Sequence, residues 1–176
     1  MPNWCYNTVR VEGDTNALET FITSVKGVEE GECTLFSFNT IIPMPKELAG
    51  TSSPIKTFTT IKEVEEHNAR CSDFEGRKIG LAVTKAMSRS RIKKYGFDNW
   101  YDWCCENWDT KWPAGDVTLN EFSNHLIYQF TTAWGPSQPI FDYLCTKHPD
   151  LKITWKWDGE EPGVGGNLTI EEKTND

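Results

Sequence analysis

Aromatic, acidic and basic side chains alternate in one short run, NWYDWCCENWDTKW, which spans residues 99–112 and holds four of the chain's eight tryptophans. An indole ring offers a flat apolar face on which a nucleobase or a sugar can stack. A lysine ammonium beside such a ring can hold a phosphate group. These residue types are those of a binding surface for a nucleotide-like ligand.

Helical spacing brings most of these aromatic side chains together. On a helix with about 100° per residue, one broad face collects Trp100, Tyr101, Trp103, Cys104 and Trp108. An acidic stripe lies opposite this face. Asn107 and Lys111 fall among the tryptophans, where a plain core face avoids polar groups. Two interpretations stay open. The aromatic face packs in the core, or it forms the floor of a pocket whose edge is made by Asn107 and Lys111. Trp112 lies at the edge of the core or of the pocket in either case.

A second candidate surface is basic. Residues 76–96 carry seven lysines and arginines and no acid, and the pattern predicts a helix over this range. Lys85, Arg89 and Lys93 fall on one side of it, one turn apart. This row is a candidate phosphate-binding surface for a phosphate-bearing ligand or an RNA segment. The alternative is a solvated helix face without a partner.

Composition limits the classes of function. The chain of 176 residues has a formal charge of -8 and a pI near 4.9, which argues against general, salt-driven binding to nucleic acid or to an anionic membrane. No apolar run approaches the roughly 18 residues that span a bilayer. The first residues lack the basic and apolar regions of a signal peptide, so we predict a cytoplasmic location.

Cysteines and histidines give no sign of a catalytic or metal centre. The six cysteines are expected to be reduced in the cytoplasm. His67 and Cys71 have the spacing of half a metal site, but a second half with matching spacing is missing. We therefore predict neither a metal site nor a cofactor. The histidines accompany no nucleophile motif, and the sequence assigns no catalytic residue.

The order of the predicted elements indicates the fold class. Hydrophobic periods and capping residues predict the strands and helices. The predicted strands are residues 7–13, 33–42, 116–122, 125–134, 151–159 and 167–172. The predicted helices are residues 14–27, 60–70, 76–96 and 137–149, with a tryptophan helix that starts at about residue 98. We predict one α+β domain over residues 1–176, a ferredoxin-like sandwich with a mostly antiparallel sheet and helices on one face. Residues 46–98 are predicted to form a helical insertion within it.

Four runs resemble the YubB-like proteins of bacteriophages and plasmids, a family with a ferredoxin-like domain: MPNWCYNTVRVEGD, FSFNTIIPMP, YGFDNWYDWCCENWDTKW and FTTAWGPSQPIFDYL. The resemblance implies a phage or mobile-element origin and an α+β fold, and it implies no established activity. The residues that match the family pattern are Asn3, Trp4, Trp100, Tyr101, Trp103, Lys111, Trp112 and Trp134. Asp109 stands where the pattern has glycine, and WGPS replaces a double proline.

These observations together predict a non-enzymatic binding protein of a phage or mobile element that acts on a host component in the cytoplasm of the host cell. Counter-defence, by blocking a host protein or by sequestering a nucleotide signal, is the expected setting. The alternatives are an enzyme acting on a nucleotide or phosphodiester, and an RNA-binding module with bases stacked on aromatic side chains. The predicted ligand contacts are Asn3, Trp4, Trp100, Tyr101, Trp103, Asn107, Lys111, Trp112 and Trp134.

Overall fold

A computed structural model describes residues 3–29, 31–72 and 76–170. In chain order, its strands and helices are β1 Trp4–Glu12, α1 Thr15–Val25, β2 Gly27–Glu29, β3 Glu32–Thr34, α2 Phe38–Ile41, β4 Thr57–Phe58, α3 Ile61–Asn68, β5 Val83–Thr84, α4 Lys85–Tyr95, α5 Trp100–Trp108, β6 Gly115–Glu121, β7 His125–Ala133, α6 Gln138–Lys147, β8 Lys152–Gly159 and β9 Gly165–Asn167.

The main sheet has five strands in the order β6-β7-β1-β8-β9, and each neighbouring pair is antiparallel. α1 lies in the chain between β1 and β6, and α6 lies between β7 and β8. Each helix therefore connects two strands that have a third strand inserted between them, which is the split β-α-β arrangement. The predicted fold class, an α+β ferredoxin-like sandwich, is confirmed.

The core lies between this sheet and the helices. Along β1, buried and partly exposed side chains alternate, as they do on β7 and β8. The Phe21 ring on α1 lies 6.0 Å from the Tyr128 ring on β7, and the Phe141 ring on α6 lies 6.3 Å from the Trp155 ring on β8. Because Tyr128 and Trp155 are both inward residues, α1 and α6 pack on the same face of the sheet.

The chain divides into two compact units. Unit 1 comprises Met1–Pro43 and Asn107–Asp176, and unit 2 comprises Met44–Glu106. Unit 1 contains the five-stranded sheet. Unit 2 contains α3, α4 and the short parallel pair β4–β5. The prediction of a single domain with a helical insertion over residues 46–98 stays a prediction.

The predicted strand over residues 33–42 is wrong. The strand in this part of the chain is Glu32–Thr34, and it pairs with β2 in a separate two-stranded sheet. Residues 36–38 are all buried, so the side chains do not alternate as in a strand. The Ser37 hydroxyl accepts the Thr40 backbone N–H at 3.0 Å and starts the short helix α2.

The predicted helix over residues 76–96 is also too long, because only Lys85–Tyr95 is helical. Gly80 has a φ of 70°, a left-handed conformation that interrupts a helix. The Asn68 side chain bonds both the N–H and the carbonyl of Ala82, which fixes that segment in an extended form. Thr84 then caps α4 by accepting the Met87 N–H at 3.1 Å.

The last predicted strand, residues 167–172, is displaced. The pairing strand is Gly165–Asn167, and residues 171–172 lie outside the described residues. A side chain at position 165 would meet the Trp157 carbonyl oxygen at 2.7 Å, so the close approach of these strands requires glycine. Gly165 and Gly166, which precede the predicted strand, are thus part of the pairing strand.

Within the described residues, no helix is long and apolar enough to cross a membrane. The same residues contain no group of three or more histidine, cysteine or acidic side chains placed to hold a metal ion. The Cys71 thiol donates to the carbonyl oxygens of His67 and Gly80, at 3.4 and 3.5 Å. His67 and Cys71 therefore interact locally within unit 2.

Candidate functional site

Four of the predicted ligand contacts meet in unit 1 and form what we call the lysine–tryptophan cluster: Trp4, Lys111, Trp112 and Trp134. The Lys111 Nζ lies 3.9 Å from the Trp112 ring centroid and 5.4 Å from that of Trp134. The Trp4 and Trp112 rings are 6.0 Å apart and tilted by 39°. The cluster therefore combines a cation with three indole rings.

The backbone around Trp134 is held in an uncommon conformation. Trp134 has a φ of 75°, which is strained for a bulky side chain. Its N–H donates to the Asn3 carbonyl oxygen at 2.8 Å, so the predicted residue Asn3 contributes through its backbone. The Thr132 hydroxyl donates to the Gly135 carbonyl oxygen at 2.7 Å. These bonds hold the turn that leaves the Trp134 side chain 46% exposed.

Lys111 reaches the cluster because the tryptophan helix ends early. α5 stops at Trp108, and Asp109 then adopts a left-handed conformation with a φ of 55°. This is the conformation that glycine usually supplies after a helix, and aspartate tolerates it better than most residues. The helical placement of Lys111 among the tryptophans is therefore wrong, since Lys111 lies in the segment that follows α5.

The Lys111 ammonium faces aromatic rings rather than acids. Among residues 3–29, 31–72 and 76–170, no carboxylate oxygen lies within 4.0 Å of the Lys111 Nζ. Lys111, Trp4 and Trp112 are each partly exposed. An anionic group that approaches the exposed side of Trp134 thus meets a cation whose neighbours are indole rings.

The tryptophans of α5 are placed differently. Trp103 and Trp108 are buried, at 6% and 2% exposure, whereas Trp100 and Tyr101 are partly exposed and meet edge to face with ring centroids 5.7 Å apart. Trp108 donates its indole N–H to the Ile42 carbonyl oxygen at 3.0 Å. Because Trp103 and Trp108 are both buried, they agree with the core interpretation.

The remaining predicted ligand contacts are divided between the two units. Trp100, Tyr101 and Trp103 belong to unit 2, and Asn107 is the first residue of the second segment of unit 1. Asn107 is partly exposed. Within unit 1, the structure brings together Asn3, Trp4, Lys111, Trp112 and Trp134.

The predicted phosphate-binding row lies on α4 in unit 2. Lys85, Arg89 and Lys93 are all exposed and follow one another at a rise of about 6 Å per four residues. In the part of the chain that the structure describes, none of the three has a carboxylate oxygen within 4.0 Å. The row is a solvated basic stripe that is available to an anionic group.

One exposed aromatic residue near the cluster is missing from the predicted set. Tyr6 follows Trp4 by two residues on β1 and is 52% exposed. The predicted strand began at residue 7, whereas the alternation of buried side chains already starts at Cys5. Extending that alternation toward the N-terminus is the signal that places Trp4 and Tyr6 on one face of the sheet.

A family model matches the last part of the chain. Residues 107–175 match the model of a family described as the ferredoxin-like domain in Api92-like protein. This stretch contains Lys111, Trp112 and Trp134 and agrees with the ferredoxin-like fold found here. No curated protein matches the chain.

Among solved structures, the chain is similar to the crystal structure of a protein Api92 from Yersinia pseudotuberculosis. The TM-score is 0.49 and the sequence identity is 12%, and the match covers 95% of this chain and 93% of that chain. The comparisons thus name Api92-like proteins. The resemblance to YubB-like proteins and the phage origin stay predictions.

Proposed function

We propose that this protein is a non-enzymatic binding protein whose ligand is a nucleotide, held at the lysine–tryptophan cluster. The observation that carries the proposal is the Lys111 ammonium between the rings of Trp112 and Trp134, at 3.9 and 5.4 Å. A base needs an aromatic face and a phosphate needs a cation, and the cluster supplies both within one nucleotide's reach.

The relative strengths of the contacts indicate which ring takes the base. A cation over an exposed aromatic face contributes about 0.5–1 kcal/mol, and the contribution falls off toward about 6 Å. Stacking of one base on an aromatic side chain contributes about 1–3 kcal/mol. Lys111 is close to Trp112 and near the limit of contact with Trp134. A base that stacks on Trp134 therefore displaces only a weak cation–ring contact.

The strained backbone of Trp134 also supports a ligand contact. A positive φ at a bulky residue costs about 1–3 kcal/mol and persists where surrounding bonds impose it. Here the bond from the Trp134 N–H to the Asn3 carbonyl oxygen and the bond from the Thr132 hydroxyl to the Gly135 carbonyl oxygen impose it and keep the indole exposed. A large apolar ring held outward at such a cost is typical of a binding surface.

The biological setting that we propose is counter-defence by a phage or mobile element, with the protein sequestering a nucleotide signal in the cytoplasm of its host. The motif resemblance suggests this setting, and the combination of indole rings with a cation favours sequestration of a nucleotide signal over blocking of a host protein. Denaturing protein purified from its natural host and analysing the released small molecules by mass spectrometry tests this setting. A nucleotide near one per chain is expected, and its absence contradicts the setting.

A thermal-shift screen tests the binding itself. The pure protein is heated with AMP, GMP, CMP, UMP, their cyclic forms and ADP-ribose. A ligand at about 100 times its dissociation constant adds roughly 2.7 kcal/mol of stability. A rise in the unfolding temperature with at least one nucleotide is expected, and a blank across the panel contradicts the proposal.

Variants locate the bound nucleotide. Trp134→Ala is expected to weaken binding by about 1–3 kcal/mol because the base loses its stacking partner. Lys111→Met keeps the apolar stem and removes the charge, and it is expected to weaken binding by about 1.5 kcal/mol. Tyr143→Ala and Lys147→Ala are matched controls, because both residues are exposed on α6. Equal losses in the controls would contradict a site at the cluster.

A further inference from the structure

One face of the five-stranded sheet is open next to the lysine–tryptophan cluster. α1 and α6 pack on the inward face, through the contacts of Phe21 with Tyr128 and of Phe141 with Trp155. On the other face, Tyr6, Gln129 and Lys156 are exposed. These three residues belong to β1, β7 and β8, so solvent reaches the central strands of the sheet.

The strand register gives the order of side chains on this open face. Directly paired residues of antiparallel strands lie side by side on the same face. Tyr6 on β1 therefore lies between Thr131 on β7 and Asp158 on β8. The next outward residue of β1, Thr8, lies between Gln129 and Lys156. A tyrosine ring is thus bordered by hydroxyl, amide and charged groups.

The open face is continuous with the cluster. Trp4 and Tyr6 are alternate residues of β1, so they point to the same face with Cα atoms about 6.8 Å apart. Trp4 also contacts Trp112, at 6.0 Å between ring centroids. A line of aromatic side chains therefore runs from the cluster through Trp4 to Tyr6.

The charges of the face differ from those of the whole chain. Its outward cations on β1 and β8 are Arg10, Lys152 and Lys156, and its outward acids are Glu12 and Asp158. The cations outnumber the acids, whereas the chain as a whole carries a formal charge of -8. The ion pairs among them, such as Lys156–Asp158 at 3.5 Å, are exposed. Exposed pairs are weak, so a phosphate can take the place of a carboxylate.

We propose that the nucleotide held at the cluster is part of a short segment of single-stranded RNA, with one base on Trp134 and a further base on Tyr6. This rests on the proposed function, since it extends the same site along β1. Single-stranded RNA is recognised through unstacked bases that lie on aromatic side chains, and the 2′-hydroxyl needs polar partners. Thr8, Gln129 and Thr131 place such partners beside Tyr6.

Fluorescence anisotropy with labelled oligoadenylates of increasing length tests the proposal. The affinity is expected to rise from AMP to a short oligoribonucleotide. Tyr6→Ala is expected to weaken oligonucleotide binding by about 5- to 150-fold, the loss of one stacked base, and to leave AMP binding unchanged. Tyr6→Phe keeps the ring and is expected to bind like the unaltered protein. Tyr143→Ala is the matched control for removal of an exposed tyrosine.

The outcomes separate the two proposals. If AMP binds at the cluster but affinity does not rise with length and Tyr6→Ala has no effect, the RNA segment is overturned and the nucleotide site stands. If neither AMP nor any other nucleotide binds, the proposed function itself fails. If an oligodeoxyadenylate binds as tightly as the ribose form, recognition of RNA through its 2′-hydroxyl is overturned.

Discussion

Asn7 lies buried in the centre of the sheet, at 2% exposure, and its side chain joins three strands. Its amide nitrogen donates to the Thr132 hydroxyl at 2.8 Å, and its carbonyl oxygen accepts the Trp155 indole N–H at 2.9 Å. The Thr132 hydroxyl in turn donates to the Gly135 carbonyl oxygen at 2.7 Å. A chain of hydrogen bonds therefore runs from the core to the turn that presents Trp134.

Replacing Asn7 by leucine tests this chain. Asn7→Leu leaves the buried Trp155 N–H without an acceptor and is expected to lower the free energy of unfolding by about 2–4 kcal/mol. Chemical denaturation followed by tryptophan fluorescence measures the change. Asn120→Leu, an exposed position on β6, is the matched control and is expected to stay within about 0.5 kcal/mol. A similar loss in both variants would argue against the network.

His148 is expected to make stability depend on pH. Burial, and to a smaller extent the charge of Lys147, lowers the pKa of His148 below its ordinary value of about 6.5. The unfolded chain then binds more protons than the folded protein between these two pKa values, so stability falls as the pH drops through this window. Full stability is present above the unfolded pKa.

Unfolding titrations between about pH 5 and 7.5 measure this dependence. The free energy of unfolding is expected to rise with pH over this range, and His148→Gln is expected to flatten the rise. In the folded protein the His148 ring lies 3.1 Å from the Ser24 hydroxyl and 5.1 Å, edge on, from Phe21. An unchanged slope in the variant would show that another group titrates.

At the scale of elements, the strength of the local pattern decided what the sequence could predict. β1, β7 and β8 alternate clearly and α1 has a helical period with a capping Asp14, so these elements were predicted. The backbone of residues 33–42 and 76–84 was not predicted correctly. The Ser37 cap determines the first segment, and the distant Asn68 side chain determines the second. The bond between Asn68 and Ala82 spans 14 residues, and no local period reports it.

The candidate site could likewise be predicted from the sequence only in part. The residue types of Trp112, Trp134 and Lys111 and their matches to a family pattern identified them from the sequence. Their geometry depends on the end of α5 and on the strained turn at Trp134, which local periodicity does not reveal. Tyr6 was missed because it precedes the predicted start of its strand.

Trp108 on α5 and Trp134 after β7 are expected to respond differently to replacement by alanine. Trp108 is buried, lies edge on to Phe38 at 5.9 Å and donates to the Ile42 carbonyl oxygen. Trp108→Ala is expected to lower the free energy of unfolding by about 3–5 kcal/mol. Trp134→Ala is expected to change stability little and to weaken nucleotide binding instead. Denaturation curves and nucleotide titrations of both variants measure the contrast, and a large loss of stability in Trp134→Ala would contradict it.

At the scale of the whole molecule, the charge of -8 sets how RNA can bind. Attraction between phosphates and a broadly acidic protein is weak, so stacking has to supply most of the affinity. The cations of the cluster and of the open face include Lys111 and Arg10, which are partly exposed, and Lys156, which is exposed. The basic row Lys85, Arg89 and Lys93 belongs to unit 2 and is a separate candidate for phosphate.

The salt dependence of oligonucleotide binding follows from this charge distribution. With one or two phosphates neutralised, the logarithm of the affinity is expected to fall with the logarithm of the salt concentration at a slope of about -0.7 to -1.4. Anisotropy titrations at several salt concentrations give the slope. A value several times steeper would show that a broad basic surface, such as the row on α4, dominates binding.

The most direct test of the central claim is a two-dimensional NMR spectrum of the indole N–H groups of the eight tryptophans, recorded during titration with AMP. Assignment uses single Trp→Phe variants. The signals of Trp4, Trp112 and Trp134 are expected to shift in a saturable way, while that of the fully buried Trp155 stays in place. If saturating AMP leaves the three cluster signals unmoved, the lysine–tryptophan cluster is not a nucleotide site.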